Sequence, residues 1–164
     1  MSAMRANPAV VAMRAEDLLP RIDVRRSGTR ARAPARRELR RWARAALGSR
    51  AAARRELSVL LVGQRQSREL NARYRGKDHA TNVLSFPATV GSALGDLVIC
   101  PAVLRAEARA QRKRVRAHWA HLFVHGLLHL AGYDHERARD AARMERREIV
   151  VLRRLGIANP YVGN

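Results

Sequence analysis

Short apolar runs punctuated by glycine and proline predict four β-strands. The predicted strands are Arg21–Arg26, Glu56–Val62, Thr81–Phe86 and Asp96–Cys100. The first alternates polar and apolar residues, which is typical of a strand at the edge of a sheet. The second, ELSVLLV, is almost continuously apolar and therefore predicts a buried strand.

Apolar residues spaced three and four apart predict helices between these strands and after them. One helix is expected from about Pro34 to a stop at Gly48. Ser67 is expected to cap a second helix that runs to about Tyr74. Three more helices are predicted from Pro101 to about Arg114, from about Ala117 to Leu130 and from about Ala138 to Leu155.

This order of elements predicts an α+β fold, in which a small mixed β-sheet packs against several helices within one domain of residues 1–164. Residues 1–20 are weakly patterned, so we expect that segment to be flexible. No apolar run approaches the ~18 residues that a membrane span requires. The N-terminal apolar patch is too short for a secretory signal. We therefore expect a cytoplasmic protein with no membrane partner.

The strongly positive charge of the chain indicates a polyanionic partner. The net charge is +19 and the pI is near 11.8, which favours nucleic acid or an acidic membrane surface, although a GC-rich genome would also raise the arginine count. On the last helix, Glu145 and Glu148 are spaced to pair with arginines, which predicts a solvated face. Cys100 is the only cysteine, so it excludes an internal disulfide, and it is expected to be buried.

The segment HGLLHLAGYDH places three histidines where one metal ion can reach them. His125 and His129 lie four residues apart on a predicted helix and therefore share a face. Gly132 can end that helix and turn the chain back, which brings His135 to the same ion. Three neutral imidazoles with an open fourth position indicate one catalytic Zn²⁺ ion. Nickel, cobalt and copper suit the same ligands, so zinc is inferred from geometry and availability.

The spacing of these histidines matches that of metzincin peptidases, but the residue after the first histidine differs. Those enzymes carry a glutamate there as the general base, whereas this chain has Gly126, which speaks against a peptidase. Asp134 and His121 are candidate general bases by proximity alone. His118 and His121 extend the histidine stripe, and we expect them at boundary positions without a role as metal ligands.

Two further blocks precede the histidine segment, at Tyr74–Pro87 (YRGKDHATNVLSFP) and Leu94–Pro101 (LGDLVICP). The three blocks, in this order, resemble the YbeY family of bacterial endoribonucleases and rRNA maturation factors. The resemblance covers roughly residues 55–156, and residues 1–54 match poorly.

The resemblance implies a zinc-dependent endoribonuclease, selective for single-stranded RNA, that matures the 3′ end of 16S rRNA. It also implies a part in ribosome quality control, with the small ribosomal subunit and its assembly factors as partners. By position, His125, His129 and His135 fill the zinc sites and Arg75 is the functional arginine. The planar, permanently charged guanidinium of Arg75 suits the oxygens of a phosphate.

Two other functions are compatible with the sequence. One is a non-catalytic small-subunit assembly factor in which zinc fixes the fold. The other is a metallohydrolase that acts on protein or a small molecule, which Gly126 and the basic charge disfavour. For the endoribonuclease, either water or the ribose 2′-OH would serve as the nucleophile, and the two routes leave different ends on the RNA.

Overall fold

The computed structural model describes residues 20–48, 55–133 and 137–162, and these residues form a four-stranded sheet with five helices. The strands are β1 (Arg21–Ser27), β2 (Glu56–Val62), β3 (Val83–Pro87) and β4 (Ala93–Ile99). The helices are α1 (Arg36–Leu47), α2 (Gln64–Arg75), α3 (Pro101–Ala110), α4 (Val115–Leu130) and α5 (Ala138–Arg154). The predicted α+β fold with a mixed sheet is confirmed. The predicted flexibility of the N-terminal segment concerns residues outside the described part, apart from Pro20.

The sheet has the strand order β1-β2-β4-β3. Strand β2 pairs in parallel with β1 and with β4, whereas β3 runs antiparallel to β4. In this register Val59 lies between Val24 and Leu97. Parallel neighbours require crossover connections, and α1 provides the one between β1 and β2. The strand order places β1 at one edge of the sheet, as its alternating pattern predicts.

Helix α4 runs through the main core on one face of the sheet. Its buried side chains include Trp119, Phe123, Val124, Leu127 and Leu128. Helices α1 and α5 pack on the same side, and the ring of Phe123 lies 6.0 Å from that of Trp42 of α1. Because apolar contacts surround most of α4, any side chain that it directs toward a cleft stands on a rigid support.

A smaller apolar cluster covers the opposite face of the sheet. It contains Val62, Leu84, Val98 and Cys100, with Leu70 of α2 and Val103 of α3 packed against it. The expected burial of Cys100 is confirmed. Within the described ranges, no helix is long and apolar enough to cross a membrane.

The prediction that Ser67 caps a helix is wrong. Helix α2 begins at Gln64, after Gly63, and Ser67 lies inside it as a buried residue. The Ser67 hydroxyl donates to the carbonyl of Thr81 at 2.8 Å and accepts from the amide of Thr81 at 2.9 Å. The serine was a good capping candidate by type, but its hydroxyl bonds to a loop that is distant in sequence.

Helix α3 ends earlier than the sequence pattern predicts. It stops at Ala110, and Arg112 has a positive φ of 51°, which is rare for a residue with a side chain. The amide of Lys113 then bonds to the carbonyl of Ala108, which closes the turn before α4. No glycine marks this turn, so composition alone did not reveal it.

Candidate metal centre

His125 and His129 lie on the same face of α4, near its C-terminal end. Their Nε2 atoms are 3.2 Å apart, and their ring centroids are 4.7 Å apart. Two imidazole nitrogens bound to one tetrahedral zinc ion, each at ~2.0–2.1 Å, would lie about 3.3 Å apart. The separation of the two Nε2 atoms therefore fits two ligands of a single zinc ion.

Hydrogen bonds on the other side of each ring determine which nitrogen carries the proton. The Nδ1 atom of His125 lies 2.6 Å from Oε1 of Glu148, and Nδ1 of His129 lies 3.0 Å from the carbonyl oxygen of Tyr133. A carboxylate and a carbonyl only accept hydrogen bonds, so each Nδ1 must donate. In the neutral imidazoles each Nε2 then carries a lone pair, and Nε2 is the nitrogen that faces the neighbouring histidine.

The third predicted ligand, His135, and the candidate base Asp134 lie outside the described residues. Accordingly, no group of three His, Cys, Asp or Glu side chains that could hold a metal occurs in the described ranges. Helix α4 ends at Leu130, and Gly132 has a φ of +92°, as expected of a glycine that reverses the chain. The role of His135 stays a prediction.

The two histidines face a cleft of about 160 Å³ between α4, strand β3 and the end of α2. Its walls contain Asn71, Arg75, Lys77, His79, Thr81, Val83, Leu84, Ser85, His125 and His129. The structure thus places Arg75 in the same cleft as His125 and His129. Lys77 and His79, which the sequence analysis did not assign to the site, line the cleft as well, and none of the lining residues that the structure describes is a carboxylate.

Hydrogen bonds from α2 hold the loop that follows Arg75. Gly76 ends α2 with a left-handed φ of 67°. The Nδ2 atom of Asn71 then donates to the carbonyl of His79 at 2.9 Å. The Ser67 contacts with Thr81 fix the far end of the same loop. The side chains that the loop presents to the cleft therefore have a restrained backbone beneath them.

An exposed ion pair fastens the middle of this loop. Arg68 donates from Nε and Nη2 to the two carboxylate oxygens of Asp78, at 2.6 and 2.7 Å. The hydrogen bonds from Arg68 hold the pKa of Asp78 below its usual value. Asp78 is therefore ionised and engaged with Arg68 at neutral pH, although water screens the pair.

The carboxylate behind the histidines belongs to Glu148 of α5. This residue is 0% exposed, so its interpretation as part of a solvated face is wrong. Its Oε1 accepts from His125, and its Oε2 accepts from Nε2 of His121 at 3.2 Å and from the hydroxyl of Tyr161. The sequence carries a signal for this burial, because Glu148 shares a stripe of helical spacing with Met144 and Val151, both of which are buried.

The hydrogen bonds to Glu148 keep it charged. Burial by itself raises the pKa of the carboxyl, but hydrogen bonds from His121, His125 and Tyr161 outweigh that effect and lower the pKa to about 2. A buried carboxylate that stays ionised is a suitable partner for the imidazole N–H of a metal ligand.

The two remaining histidines of the α4 stripe have other partners. His118 is 4% exposed rather than at the boundary, and its Nε2 lies 2.9 Å from Oε2 of Glu107. Asn82 also donates to Glu107. His121 bonds to Glu148 and does not belong to the described lining of the cleft. Its suggested part as a general base stays a prediction.

Gly126 allows α4 to approach the sheet closely. A Cβ atom at this position would lie 2.7 Å from Cδ2 of Leu97 and 3.3 Å from Oγ of Ser85. The Ser85 hydroxyl also donates to the carbonyl of Gly126 at 3.3 Å. A glutamate at this position would clash with Leu97 of the sheet unless that side chain moved, which is a structural argument against the peptidase chemistry considered above.

Comparison with protein families identifies the family to which the chain belongs. The model of the family "Endoribonuclease YbeY" matches residues 25–156, which is most of the chain. The chain belongs to the YbeY family. The matched range begins in β1, so the family similarity extends further toward the N-terminus than the three sequence blocks indicate.

Curated relatives named endoribonuclease YbeY are about half identical to the chain. The one from Azoarcus sp. is 50% identical over 143 residues, which cover 82% of this chain but 55% of that relative. The relative from Bordetella avium is 51% identical, with 76% of this chain and 83% of the relative covered. The one from Pseudomonas putida is 49% identical, with 85% and 92% covered. The chain thus spans about half of the Azoarcus relative and most of the other two.

A solved structure agrees with the fold. The solution structure of TM1509 from Thermotoga maritima is similar with a TM-score of 0.55 and 24% identity, and the match covers 82% of this chain and 91% of that one. At this identity the similarity concerns the fold alone.

Proposed function

We propose that this member of the YbeY family is a zinc-dependent endoribonuclease that cleaves single-stranded RNA in the cleft beside α4. One observation carries the proposal: the Nε2 atoms of His125 and His129 lie 3.2 Å apart in the same cleft as Arg75. The names of the relatives support RNA as the substrate. His135 is proposed as the third ligand of one zinc ion.

The two histidines, the groups that support them and Arg75 have distinct parts in this proposal. When bound, zinc would supply a Lewis acid for a phosphoryl oxygen and lower the pKa of a water molecule. His125 and His129 bind through Nε2, while Glu148 and the carbonyl of Tyr133 fix their tautomers. Arg75 directs a permanent positive charge at the scissile phosphate and stabilises the negative charge that accumulates there during cleavage.

The charge of the cleft favours a polyanionic substrate. Arg75 and Lys77 supply positive charge, and none of the described residues that line the cleft is acidic. An extended single strand can bring one phosphate into this narrow cleft, whereas a rigid duplex cannot splay its backbone in the same way. The nucleophile, either water or the ribose 2′-OH, is identified by the chemistry of the RNA ends after cleavage.

The biological role that we propose is maturation of the 3′ end of 16S rRNA and ribosome quality control in the cytoplasm. The partners would be the small ribosomal subunit and its assembly factors. Family membership and the net charge of +19 support this role. It predicts that cells lacking the protein accumulate 16S rRNA with unprocessed 3′ ends, and normal 3′ ends in such cells would contradict it.

A non-catalytic assembly factor is the second candidate, because the two histidines stand on a largely buried helix, where a metal would also stabilise the fold. The two functions differ in what they require of Arg75, which is exposed and lies outside the core. Catalysis requires this guanidinium, whereas a zinc site that only stabilises the fold does not.

The deciding experiment measures cleavage of end-labelled single-stranded and duplex RNA by the zinc-loaded chain. We expect the wild type to cut the single strand and Arg75→Ala to be about 10²- to 10³-fold slower, with unchanged zinc affinity and unfolding midpoint. Arg65→Ala serves as the matched control, because Arg65 is exposed on the same helix and lies outside the cleft. Equal cleavage rates for wild type and Arg75→Ala would exclude the catalytic proposal and favour the assembly factor.

A further inference from the structure

The segment after α5 folds back onto α4. Gly156, with a φ of 73°, ends the helical region, and the Nζ atom of Lys113 donates to the carbonyl of Pro160 at 2.7 Å. The amide of Tyr161 donates to Oδ1 of Asn159 at 2.9 Å, which forms a local turn. These contacts bring the side chain of Tyr161 to the histidine stripe of α4.

Tyr161 reaches the carboxylate that supports His125. Its hydroxyl donates to Oε2 of Glu148, and its ring lies edge-on to that of His121, with centroids 5.5 Å apart. Burial and the negative charge of Glu148 raise the pKa of the Tyr161 hydroxyl, so it stays a donor at neutral pH. The hydroxyl, the carboxylate and the Nδ1 atom of His125 therefore form one continuous chain of hydrogen bonds.

The geometry makes the orientation of His125 depend on this series of hydrogen bonds. Both oxygens of Glu148 accept hydrogen bonds, and the carboxylate is fully buried, so its rotation would break contacts that water does not readily replace. Tyr161 itself is 44% exposed, so its ring contributes little to the core. Removal of the Tyr161 hydroxyl would therefore leave the buried carboxylate of Glu148 with one hydrogen bond fewer.

We propose that Tyr161 is a positioning residue of the metal centre, which holds Glu148 in the orientation that directs Nε2 of His125 toward the metal. Tyr161 lies beyond residues 25–156, the part of the chain that matches the family model. The inference rests on the proposed function in so far as it concerns metal binding. Loss of an outer partner of a metal ligand typically weakens metal affinity by about 10- to 100-fold.

The effect of Tyr161 should pass through Glu148. His121 donates to the same oxygen, Oε2, and remains in place when the tyrosine hydroxyl is removed. We therefore expect the lower end of the range, an about tenfold loss of zinc affinity, for Tyr161→Phe. In a Glu148→Gln background, the same substitution should cost no further affinity, because the carboxylate that it acts through is gone.

The test measures zinc affinity of the full chain by competition with a chromophoric chelator, for wild type, Tyr161→Phe, Glu148→Gln and the double variant. Tyr74→Phe is the matched control, since it removes the hydroxyl of an exposed tyrosine on α2 whose ring packs against Phe86. Unfolding of the metal-free variants is followed in parallel. Imidazole ¹⁵N NMR of the metal-free chain adds a readout that a merely structural role would not move. In Tyr161→Phe we expect a larger fraction of His125 protonated at Nε2.

The expected result is an about tenfold loss for Tyr161→Phe in the wild-type background, none in the Glu148→Gln background and none for Tyr74→Phe. The proposal for Tyr161 would be overturned if Tyr161→Phe left the zinc affinity or the His125 tautomer unchanged, or if it caused an equal loss in both backgrounds. If the wild type nevertheless bound zinc, the proposed metal centre would still stand. A wild-type chain that binds no zinc would overturn both the metal centre and the part given to Tyr161.

Discussion

The two walls of the cleft are built in different ways. The wall formed by α4 carries His125 and His129 on a helix whose other faces are buried, and the buried Glu148 supports one of these histidines from behind. The opposite wall carries Arg75, Lys77 and His79, which are exposed at the end of α2 and in the loop after it. That loop is held by hydrogen bonds to α2 and an exposed ion pair, with little burial.

The difference follows from what each wall must bind. Metal ligands need fixed distances, since an error of a few tenths of an ångström is costly, and a packed helix with a buried carboxylate provides that precision. A phosphodiester backbone needs positive charge that can adapt to a flexible strand, and exposed side chains on a tethered loop provide that. We expect substitutions in the two walls to fail in different ways.

The largest effect should come from removing a ligand on the α4 wall. His129→Ala deletes one of the two Nε2 donors, so we expect the loss of stoichiometric zinc and a fall of RNA cleavage to background. Metal analysis after dialysis and the cleavage assay measure the two effects. His79→Ala, which removes an exposed histidine on the opposite wall, should retain its zinc. A His129→Ala chain that binds zinc as tightly as the wild type would show that the ligands lie elsewhere.

The next effect should come from the carboxylate behind the ligands. Glu148→Gln keeps the size of the side chain but weakens the hydrogen bond to His125, and its terminal amide can place a donor against the Nδ1 hydrogen. We expect zinc affinity to fall by about 10- to 100-fold. Chelator competition measures the affinity. Glu145→Gln, an equivalent change at a neighbouring position of α5, is the control and should leave the affinity unchanged. Equal affinities for Glu148→Gln and wild type would mean that His125 is oriented without this carboxylate.

A smaller effect, on stability, is expected from Glu107 of α3, which contacts His118 in the N-terminal half of α4. Burial alone would raise the pKa of Glu107, but hydrogen bonds from His118 and Asn82 outweigh it and lower the pKa below the ordinary 4.5. Because the pKa is lowered by folding, the stabilisation is present above pH 4.5 and is lost as the pH falls through the folded-state value. Glu107→Gln should reduce the free energy of unfolding by about 1 kcal/mol at pH 7, because the carboxylate is partly exposed.

Denaturant unfolding of the metal-free chain between neutral and acidic pH checks this expectation. The stability difference between wild type and Glu107→Gln should shrink as the pH falls below 4.5. A difference that is constant across this range would show that Glu107 acts through packing and not through its charge.

The smallest effect is expected on the opposite wall, which carries Arg75, Lys77 and His79. Asp78→Asn removes the charge that fastens the loop to Arg68, and the pair is exposed, so high salt already weakens it. We expect a modest loss of cleavage rate at low salt, a smaller loss at high salt, and no change in zinc affinity. A loss of zinc affinity would contradict the separation of the two walls.

The sequence was sufficient for the features that depend on local spacing. His125 and His129 share a face because they are four residues apart, and Gly132 turns the chain after them as its residue type predicts. Strand β2 has the predicted bounds, Glu56–Val62. Such features follow from the period of a helix or strand, which a sequence shows directly.

The features that the sequence did not reveal depend on contacts between distant segments. Glu148 has the charge of a surface residue, and only the packing of α5 against α4 shows that its carboxylate meets His121 and His125. Ser67 likewise bonds to Thr81, fourteen residues away, instead of capping its helix. The apolar stripe that contains Glu148 was visible in the sequence, but helical spacing to arginines was equally compatible with a solvated face.

The most direct test of the account is zinc-edge X-ray absorption of the loaded wild-type chain. We expect one zinc ion per chain with imidazole nitrogens at about 2.0–2.1 Å, and the loss of part of that imidazole scattering in His125→Ala. A first shell without imidazole, or an unchanged spectrum in His125→Ala, would contradict the claim that the paired Nε2 atoms of α4 hold the metal.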